Sequence, residues 1–241
     1  MSNVSKRMIH GQWCLTLLMT ILCGLWLPKA AAAQAAATND FRPLVEVKTM
    51  LGTMIIALYN ETPEYRDLFL AHVEAGEYDS LLFHRVVPGF AVEAGDPASK
   101  HAAAGVPLGI DTDTAGLPLE VLPGLIHKKG ALAAAPSGDT PELAKRSHGS
   151  RFFIVHGVPY EATELVEVAE RNARLGTPFD YTDEDRRVYA ELGGQPRLDG
   201  GYTVFGEVVE GLEVIDAIAT LPCNQLDRPL TDIRMFMRIM K

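Results

Sequence analysis

Two short apolar runs with a turn between them begin at residue 83: Phe83-His84-Arg85-Val86-Val87-Pro88-Gly89-Phe90-Ala91-Val92-Glu93-Ala94-Gly95-Asp96. The Pro-Gly dipeptide is typical of turns, so the pattern predicts adjacent strands over residues 81–87 and 90–94. Such a pair brings the cation of Arg85 close to Phe83 and Phe90. On the residues alone a structural role is an alternative, with Arg85 on a solvated strand face and both rings in a core.

The rest of the chain also has mostly the periodicity of strands. A hairpin is predicted over residues 45–59, and Thr62 as N-cap, with Pro63, predicts a helix that Gly76 ends. Further strands are predicted over residues 130–135, 152–156 and 202–208, then a helix over 212–219 and an alternating tail from Ile233. Many short strands without a βαβ rhythm favour a closed barrel.

Residues 160–192 depart from this strand pattern. Charged residues alternate there with apolar ones at helical spacing, and Thr182-Asp183-Glu184-Asp185 has the composition of a helix start. We therefore expect a helical insertion, in the form of a hairpin, between two strands. A long loop rich in Gly, Pro, Ala and Asp is expected over residues 96–124.

The N-terminal segment has the organisation of a secretory signal peptide. Lys6 and Arg7 precede an uncharged apolar run over residues 13–27, and small residues 30–33 follow. The run is short for a spanning helix, which needs roughly 20 apolar residues. We expect cleavage after residue 33, a disordered lead-in over 34–43, one domain over 44–241, and a periplasmic location without a stable membrane span. An uncleaved membrane anchor is the main alternative, whereas Leu22 before Cys23 disfavours a lipoprotein.

Composition excludes several classes of function. The chain of 241 residues is 47% apolar and 22% charged, which excludes a disordered protein. Residues 1–33 hold three basic and no acidic residues, so the remaining 19 basic and 31 acidic residues leave a net charge of −12. This balance argues against nucleic-acid partners, which require surplus Lys and Arg. Cys223 is the only cysteine after residue 33, so no intramolecular disulfide is possible once the signal peptide is cleaved.

The usual catalytic templates are absent from the sequence. There is no Gly-rich phosphate loop, C-x-x-C, H-E-x-x-H or EF-hand pattern, so neither a metal nor a cofactor is expected. A serine triad built on Ser150 lacks a nucleophile-elbow context, which disfavours a hydrolase.

Position by position, residues 83–96 resemble the F-H-R-[VI]-[VI]-P-G-F-x-x-Q-G-G-D signature of the cyclophilin family of peptidyl-prolyl isomerases. Residues 149–154, GSRFFI, are similar to the family's G-S-Q-F-F-I strand, and residues 198–206, LDGGYTVFG, to its L-D-G-x-[HY]-x-V-F-G segment. The predicted hairpin and helix over residues 45–76 resemble the family's opening elements. The resemblance covers roughly residues 44–241 and implies a mainly β fold: a closed, eight-stranded antiparallel barrel capped by two helices.

The resemblance also implies roles for individual residues. Arg85 would be the catalytic cation, and a proline pocket would be lined by Phe90, Phe153 and Leu198. Matching positions place four further residues in the substrate site: His84, Ala135, Pro136 and Tyr202.

Several positions depart from the family pattern. Glu93 and Arg151 replace two glutamines, Ala91 a methionine, and Ala94 a glycine; Arg197 precedes Leu198 where some relatives have tryptophan. We include Glu93 and Arg151 among the substrate-site residues. The carboxylate of Glu93 could hold Arg85 tightly, or draw its charge away from substrate.

The family implies an isomerase that needs no metal, cofactor or covalent intermediate. Its partners would be proline-containing unfolded or flexible polypeptides outside the cytoplasm, with a monomer as the default oligomeric state. The alternative is a cyclophilin-fold binding module or chaperone with little isomerase activity, using the same groove extended by residues 160–192.

Overall fold

The computed structural model describes residues 41–111 and 116–241. The predicted signal peptide and most of the predicted lead-in lie outside the described residues, so both stay predictions. No helix in the described part of the chain is long and apolar enough to cross a membrane.

Eight antiparallel strands form one curled sheet. Their bounds are β1 (Leu44–Thr49), β2 (Gly52–Leu58), β3 (Arg85–Val87), β4 (Ala91–Ala94), β5 (Ala131–Pro136), β6 (Ser147–Val155), β7 (Val204–Glu210) and β8 (Phe236–Ile239). The strand order is β3-β4-β6-β5-β7-β2-β1-β8, so the first and last strands of the chain are neighbours.

Main-chain hydrogen bonds just before β3 and β8 join the two ends of this sheet. The amide of Ser80 donates to the carbonyl of Met235 at 2.8 Å, and the amide of Phe83 donates to that of Ile233 at 3.0 Å. Leu82 and Arg234 form an antiparallel bridge between these bonds. The predicted mainly β barrel, eight-stranded and antiparallel, is confirmed.

Two helices that flank the sheet share its apolar core: α1 (Pro63–Glu74) and, near the C-terminus, α4 (Leu212–Ala219). Phe69 of α1 packs edge-on against Phe152 at 5.4 Å between ring centroids, and its ring lies 5.5 Å from that of Phe205. Gly76, at φ +67°, follows α1 in the left-handed region, as expected for a helix end.

Three local expectations need correction. Thr62 occupies the predicted N-cap position of α1 and Pro63 follows as its first residue, but the ψ of Thr62 is 66°, which is not extended, and its hydroxyl makes no capping bond. β6 starts at Ser147, five residues before the predicted strand, because the polar residues there pair with the end of β5. β3 starts only at Arg85, because the residues before it form the bridge to Arg234.

The insertion forms the predicted helical hairpin, with helices α2 (Ala162–Arg174) and α3 (Asp183–Glu191). At the start of α3, Thr182 Oγ1 accepts from the Asp185 amide at 3.1 Å, and Asp185 Oδ2 accepts from the Thr182 amide at 2.9 Å. The two helices pack around a small apolar cluster that contains Leu165 and Tyr189, both fully buried.

Candidate active site

Arg85 is held between two carboxylates at the start of β3. It lies opposite Glu93 of β4 in the ladder, with Arg85 Nη1 3.4 Å from Glu93 Oε2. Arg85 Nη2 lies 3.4 Å from Asp227 Oδ2 on the other side. The Arg85 side chain is still 42% exposed. The guanidinium is therefore oriented and remains open to a ligand.

Asp227 was not found from the sequence. Its backbone has φ +59°, and its carbonyl accepts a 2.8 Å hydrogen bond from the amide of Val86 in β3. Asn224 and the residues after it have the composition of a turn. Nothing local indicates that this turn lies against β3, because that contact depends on barrel closure.

An aromatic and aliphatic pocket lies beside the guanidinium. Phe90, Phe153, Leu198 and Tyr202 belong to one apolar cluster, with the rings of Phe153 and Tyr202 edge to face at 5.9 Å. Arg85 Cζ is 6.0 Å from the centroid of the Phe90 ring. The structure thus brings together the predicted catalytic cation and the predicted proline pocket.

The pocket belongs to a larger open cleft of about 810 Å³. Phe90, Leu198 and Tyr202 line one part of the cleft, and Arg171 and Leu175 line another. Residues of the insertion therefore line the same cleft as the proline pocket.

Comparison with known proteins assigns this arrangement to a family. The family model described as "Cyclophilin type peptidyl-prolyl cis-trans isomerase/CLD" matches residues 44–237. The chain belongs to the cyclophilin-type peptidyl-prolyl isomerases. The family and the enzyme class predicted from the sequence are both confirmed.

Individual relatives agree with this assignment. A Staphylococcus aureus "Putative peptidyl-prolyl cis-trans isomerase" is 31% identical over 191 residues, which cover 78% of this chain and 87% of the relative. A Streptococcus pyogenes "Putative bifunctional phosphatase/peptidyl-prolyl cis-trans isomerase" is 32% identical over 81% of this chain, which spans only 38% of that longer protein. The crystal structure of a Cryptosporidium parvum cyclophilin type isomerase shares the fold, with a TM-score of 0.56, 20% identity, and coverage of 83% of this chain and 99% of that one.

His84 of this cyclophilin is buried behind the site and not on its surface. The side chain is 2% exposed, and neither ring nitrogen has a hydrogen-bond partner among the described residues. Burial lowers the pKa of His84 below its usual value, although the nearby carboxylates of Glu93 and Asp96 oppose the shift. The ring is therefore neutral at pH 7. A Cβ on Gly109 would lie only 2.6 Å from its Nε2, so the loop packs closely here.

Arg151 uses its donors on backbone carbonyls. Its Nη2 donates to the carbonyl of Asp111 at 2.9 Å and to that of Pro136 at 3.5 Å, and its Nη1 donates to that of Gly109. The residue is 6% exposed. The structure thus places Arg151 as a link between the long loop and the end of β5.

Ala135 and Pro136 lie at the end of β5. The side chain of Ala135 is fully buried in the apolar cluster of Phe153, whereas Pro136 is half-buried. Their predicted contact with substrate backbone stays a prediction.

Asp199 connects the insertion to the cyclophilin pocket. Its Oδ1 accepts from the amide of His127 at 2.9 Å and lies 2.7 Å from His127 Nδ1. Its Oδ2 accepts from the hydroxyls of Tyr181 at 2.9 Å and Tyr189 at 2.6 Å. Burial and the Asp199 carboxylate raise the pKa of both tyrosines, so their hydroxyls stay protonated donors.

The residues bonded in this way also contact the proline pocket directly. Asp199 follows Leu198, and the ring of His127 stacks on Phe153 with 6.0 Å between centroids. The motif that contains Asp199 was recognised in the sequence, but its tyrosine partners were not, since they come from the insertion. Within the described residues, no group of three or more His, Cys, Asp or Glu side chains is placed to hold a metal ion.

Proposed function

We propose that this cyclophilin isomerises X-Pro bonds in proteins that fold after export, and that Arg85 is its catalytic cation. One observation carries the proposal: the Arg85 guanidinium lies beside the Phe90 ring of the apolar pocket, with its side chain still open to solvent.

The chemistry requires only the stabilisation of a twisted amide. Resonance gives the peptide bond a rotation barrier of about 18–20 kcal/mol. The cis and trans forms before proline differ by only about 1 kcal/mol, so a catalyst has only to accelerate their exchange. Twisting leaves a lone pair on the prolyl nitrogen, to which a guanidinium donates far better than to a planar amide. Arg85 would therefore bind the transition state more strongly than the ground state.

The surrounding residues would hold the Arg85 guanidinium and the substrate proline in place. Glu93 and Asp227 orient the guanidinium, which is planar and presents a rigid fork of donors. Phe90, Phe153 and Leu198 would hold the proline ring while the preceding carbonyl rotates. A crystal structure of the C. parvum cyclophilin was determined in the presence of the dipeptide Ala-Pro, with a TM-score of 0.54 to this chain. The presence of that dipeptide supports a proline-containing peptide as the substrate class.

The site of action is proposed from the N-terminal sequence. Lys6, Arg7 and the apolar run over residues 13–27 support export, and a chain cleaved near Ala33 would keep Cys223 as its one cysteine, which is compatible with an oxidising compartment. The acidic balance favours polypeptide partners over nucleic acid. A periplasmic fraction should contain a chain whose N-terminal mass corresponds to cleavage near Ala33; an uncleaved chain in the membrane fraction would contradict this.

The enzymatic proposal is tested by the rate of cis-to-trans conversion of an X-Pro peptide. The purified protein should accelerate the conversion, and Arg85→Ala should remove most of the acceleration. Arg187→Ala, which affects only an exposed pair with Glu184 on α3, is the matched control and should keep it. Equal rates for wild type and Arg85→Ala would contradict the role of Arg85 and favour a cyclophilin-fold binding module.

A further inference from the structure

The insertion contributes charge as well as area to the cleft. Arg171, near the end of α2, lines it together with Arg197, which immediately precedes Leu198 of the proline pocket. Two cations therefore line the cleft that also contains Phe90 and Tyr202.

Neither cation is held in an ion pair within the part of the chain that the structure describes. Among the described residues, Arg171 and Arg197 form no ion pair with a carboxylate, and Arg171 Nη1 donates only to the neutral amide oxygen of Asn172 at 3.2 Å. Of the other arginines of the insertion, Arg174 lies 3.7 Å from Glu170 and Arg187 lies 2.6 Å from Glu184, whereas Arg186 Nη2 donates to the carbonyl of Tyr181 at 3.4 Å. Arg171 and Arg197 therefore line the cleft without a carboxylate partner.

Charges of both signs lie beyond these arginines. A second recess, of about 620 Å³, shares Arg171 and Arg197 with the cleft and is also lined by Arg174, Glu164 and Glu167. Acidic side chains thus line this recess, whereas none of those described lines the cleft that adjoins the proline pocket. A single carboxylate near the proline fits this arrangement, whereas a long acidic tract would reach the two glutamates.

We propose that Arg171 and Arg197 form a subsite for the carboxylate of one Asp or Glu side chain close to the isomerised proline in the client. This subsite rests on the proposed function, because its position is defined relative to the proline pocket. The net charge of the chain is negative, so long-range electrostatics disfavour an acidic client. A preference for one acidic residue would therefore come from these local cations.

The test uses X-Pro peptides of one length in which a single Asp, Asn or Lys is moved from two to four residues on either side of the proline. Exposed ion pairs contribute about 0.2–1 kcal/mol each, so a carboxylate that meets both arginines should make kcat/KM at one position about two- to thirtyfold higher for Asp than for Asn. The ratio should fall as salt is added, because exposed charges are screened. A ratio of one at every position would overturn the proposal.

Substitutions of the two arginines test whether they cause the preference for Asp. Arg171→Gln with Arg197→Gln should bring the Asp-to-Asn ratio to about one, and Arg171→Glu should move the preference toward Lys. Arg174→Gln, whose arginine is already paired, should keep the ratio. An Asp preference that survives in the double variant would place the subsite elsewhere.

Direct binding separates this proposal from the enzymatic one. Kd values for the same peptides, measured by titration, should show the same Asp-to-Asn ratio in the wild type and in Arg85→Ala. If the wild type binds with that ratio but does not accelerate isomerisation, the proposed function fails and the subsite stands. If it accelerates isomerisation without any Asp preference, the subsite fails and the function stands.

Discussion

Glu93 lies directly opposite Arg85 in the β3–β4 ladder, and the side chains meet with 3.4 Å between Oε2 and Nη1. The family signature has a neutral glutamine at this position. A carboxylate also orients the guanidinium, but it reduces the positive potential that the prolyl nitrogen would experience. The contact is compatible with both effects that the sequence left open, tight restraint of Arg85 and loss of its charge for the substrate.

Replacing Glu93 by glutamine separates orientation from charge. Glu93→Gln should raise kcat/KM a few-fold, because the amide oxygen can still accept from Arg85 Nη1 while the guanidinium keeps its full charge. The isomerase assay with one X-Pro peptide measures the change. Glu93→Ala, which also removes the acceptor, is the control and should lower kcat/KM. A slower Glu93→Gln enzyme would mean that the negative charge itself is needed.

Asp227 should matter less than Glu93. The Asp227 side chain is 47% exposed against 17% for Glu93, so solvent screens its pair with Arg85 more strongly. Asp227→Asn should change kcat/KM by less than Glu93→Gln, and in the same direction. Asparagine tolerates the φ of +59° at this position, whereas Asp227→Ala would add strain to the turn that supports β3. A larger effect of Asp227→Asn than of Glu93→Gln would contradict this ranking.

The hydroxyl of Tyr189 should stabilise the whole domain. It is fully buried and donates to Asp199 Oδ2 at 2.6 Å, and hydrogen bonds to charged groups are worth about 1.5–3 kcal/mol. Tyr189→Phe should lower the free energy of unfolding in urea by about that amount. Tyr160→Phe removes a hydroxyl 3.3 Å from Gln195 Oε1 at a half-buried site and should cost less. An equal loss of unfolding free energy in the two variants would argue against Asp199 as the residue that connects the insertion to the pocket.

Burial of neutral His84 should make the protein sensitive to mild acid. Its pKa is lowered in the folded state, so below about pH 6.5 the unfolded chain binds a proton that the folded protein does not. Stability should therefore fall as pH drops from about 7 to 5, with a slope of at most about 1.4 kcal/mol per pH unit from this residue. His84→Phe should reduce that slope in urea unfolding. His156→Phe is the comparison and should reduce the slope less. Burial also lowers the pKa of His156, but its side chain is less enclosed than that of His84.

The family's cyclic-peptide inhibitor should bind weakly. The resemblance aligns Arg197 with a tryptophan of some relatives, and Arg197 lines the cleft here. A charged, flexible side chain replaces the flat apolar surface that an indole would supply. Arg197→Trp should strengthen inhibition of the isomerase assay relative to wild type. Tight inhibition of the wild type would show that Arg197 does not hinder the ligand.

The parts of the site that the sequence predicted are those encoded by contiguous motifs. Arg85, Phe90 and Glu93 belong to one hairpin whose Pro-Gly turn is visible locally, and the family signatures added Phe153, Leu198 and Tyr202. The contact of Asp227 with Arg85 joins segments far apart in the chain, whereas Tyr181 and Tyr189 lie only 18 and 10 residues before Asp199 but belong to the insertion. No periodicity or motif reports such contacts, because they arise only when the barrel closes and the insertion docks.

The burial of individual side chains was the second feature of the site that the sequence did not predict. The sequence placed Arg151 among substrate-site residues because it occupies a glutamine position of the family. The structure shows that its guanidinium bonds to carbonyls of the loop that precedes β5. A long loop of Gly, Pro and Ala offers many unpaired carbonyls and few side-chain donors, so a buried arginine can satisfy several of them at once.

The closure at Leu82 and Arg234, with β1 beside β8, also imposes an order on the folding of this chain. The outer edge of β1 has no neighbour until the last strand is available. Because contacts distant in sequence form slowly, the open edge is exposed to other chains during that interval. While it folds, this proposed folding catalyst therefore exposes an unpaired strand edge, and it needs the same protection from other chains that its client proteins need.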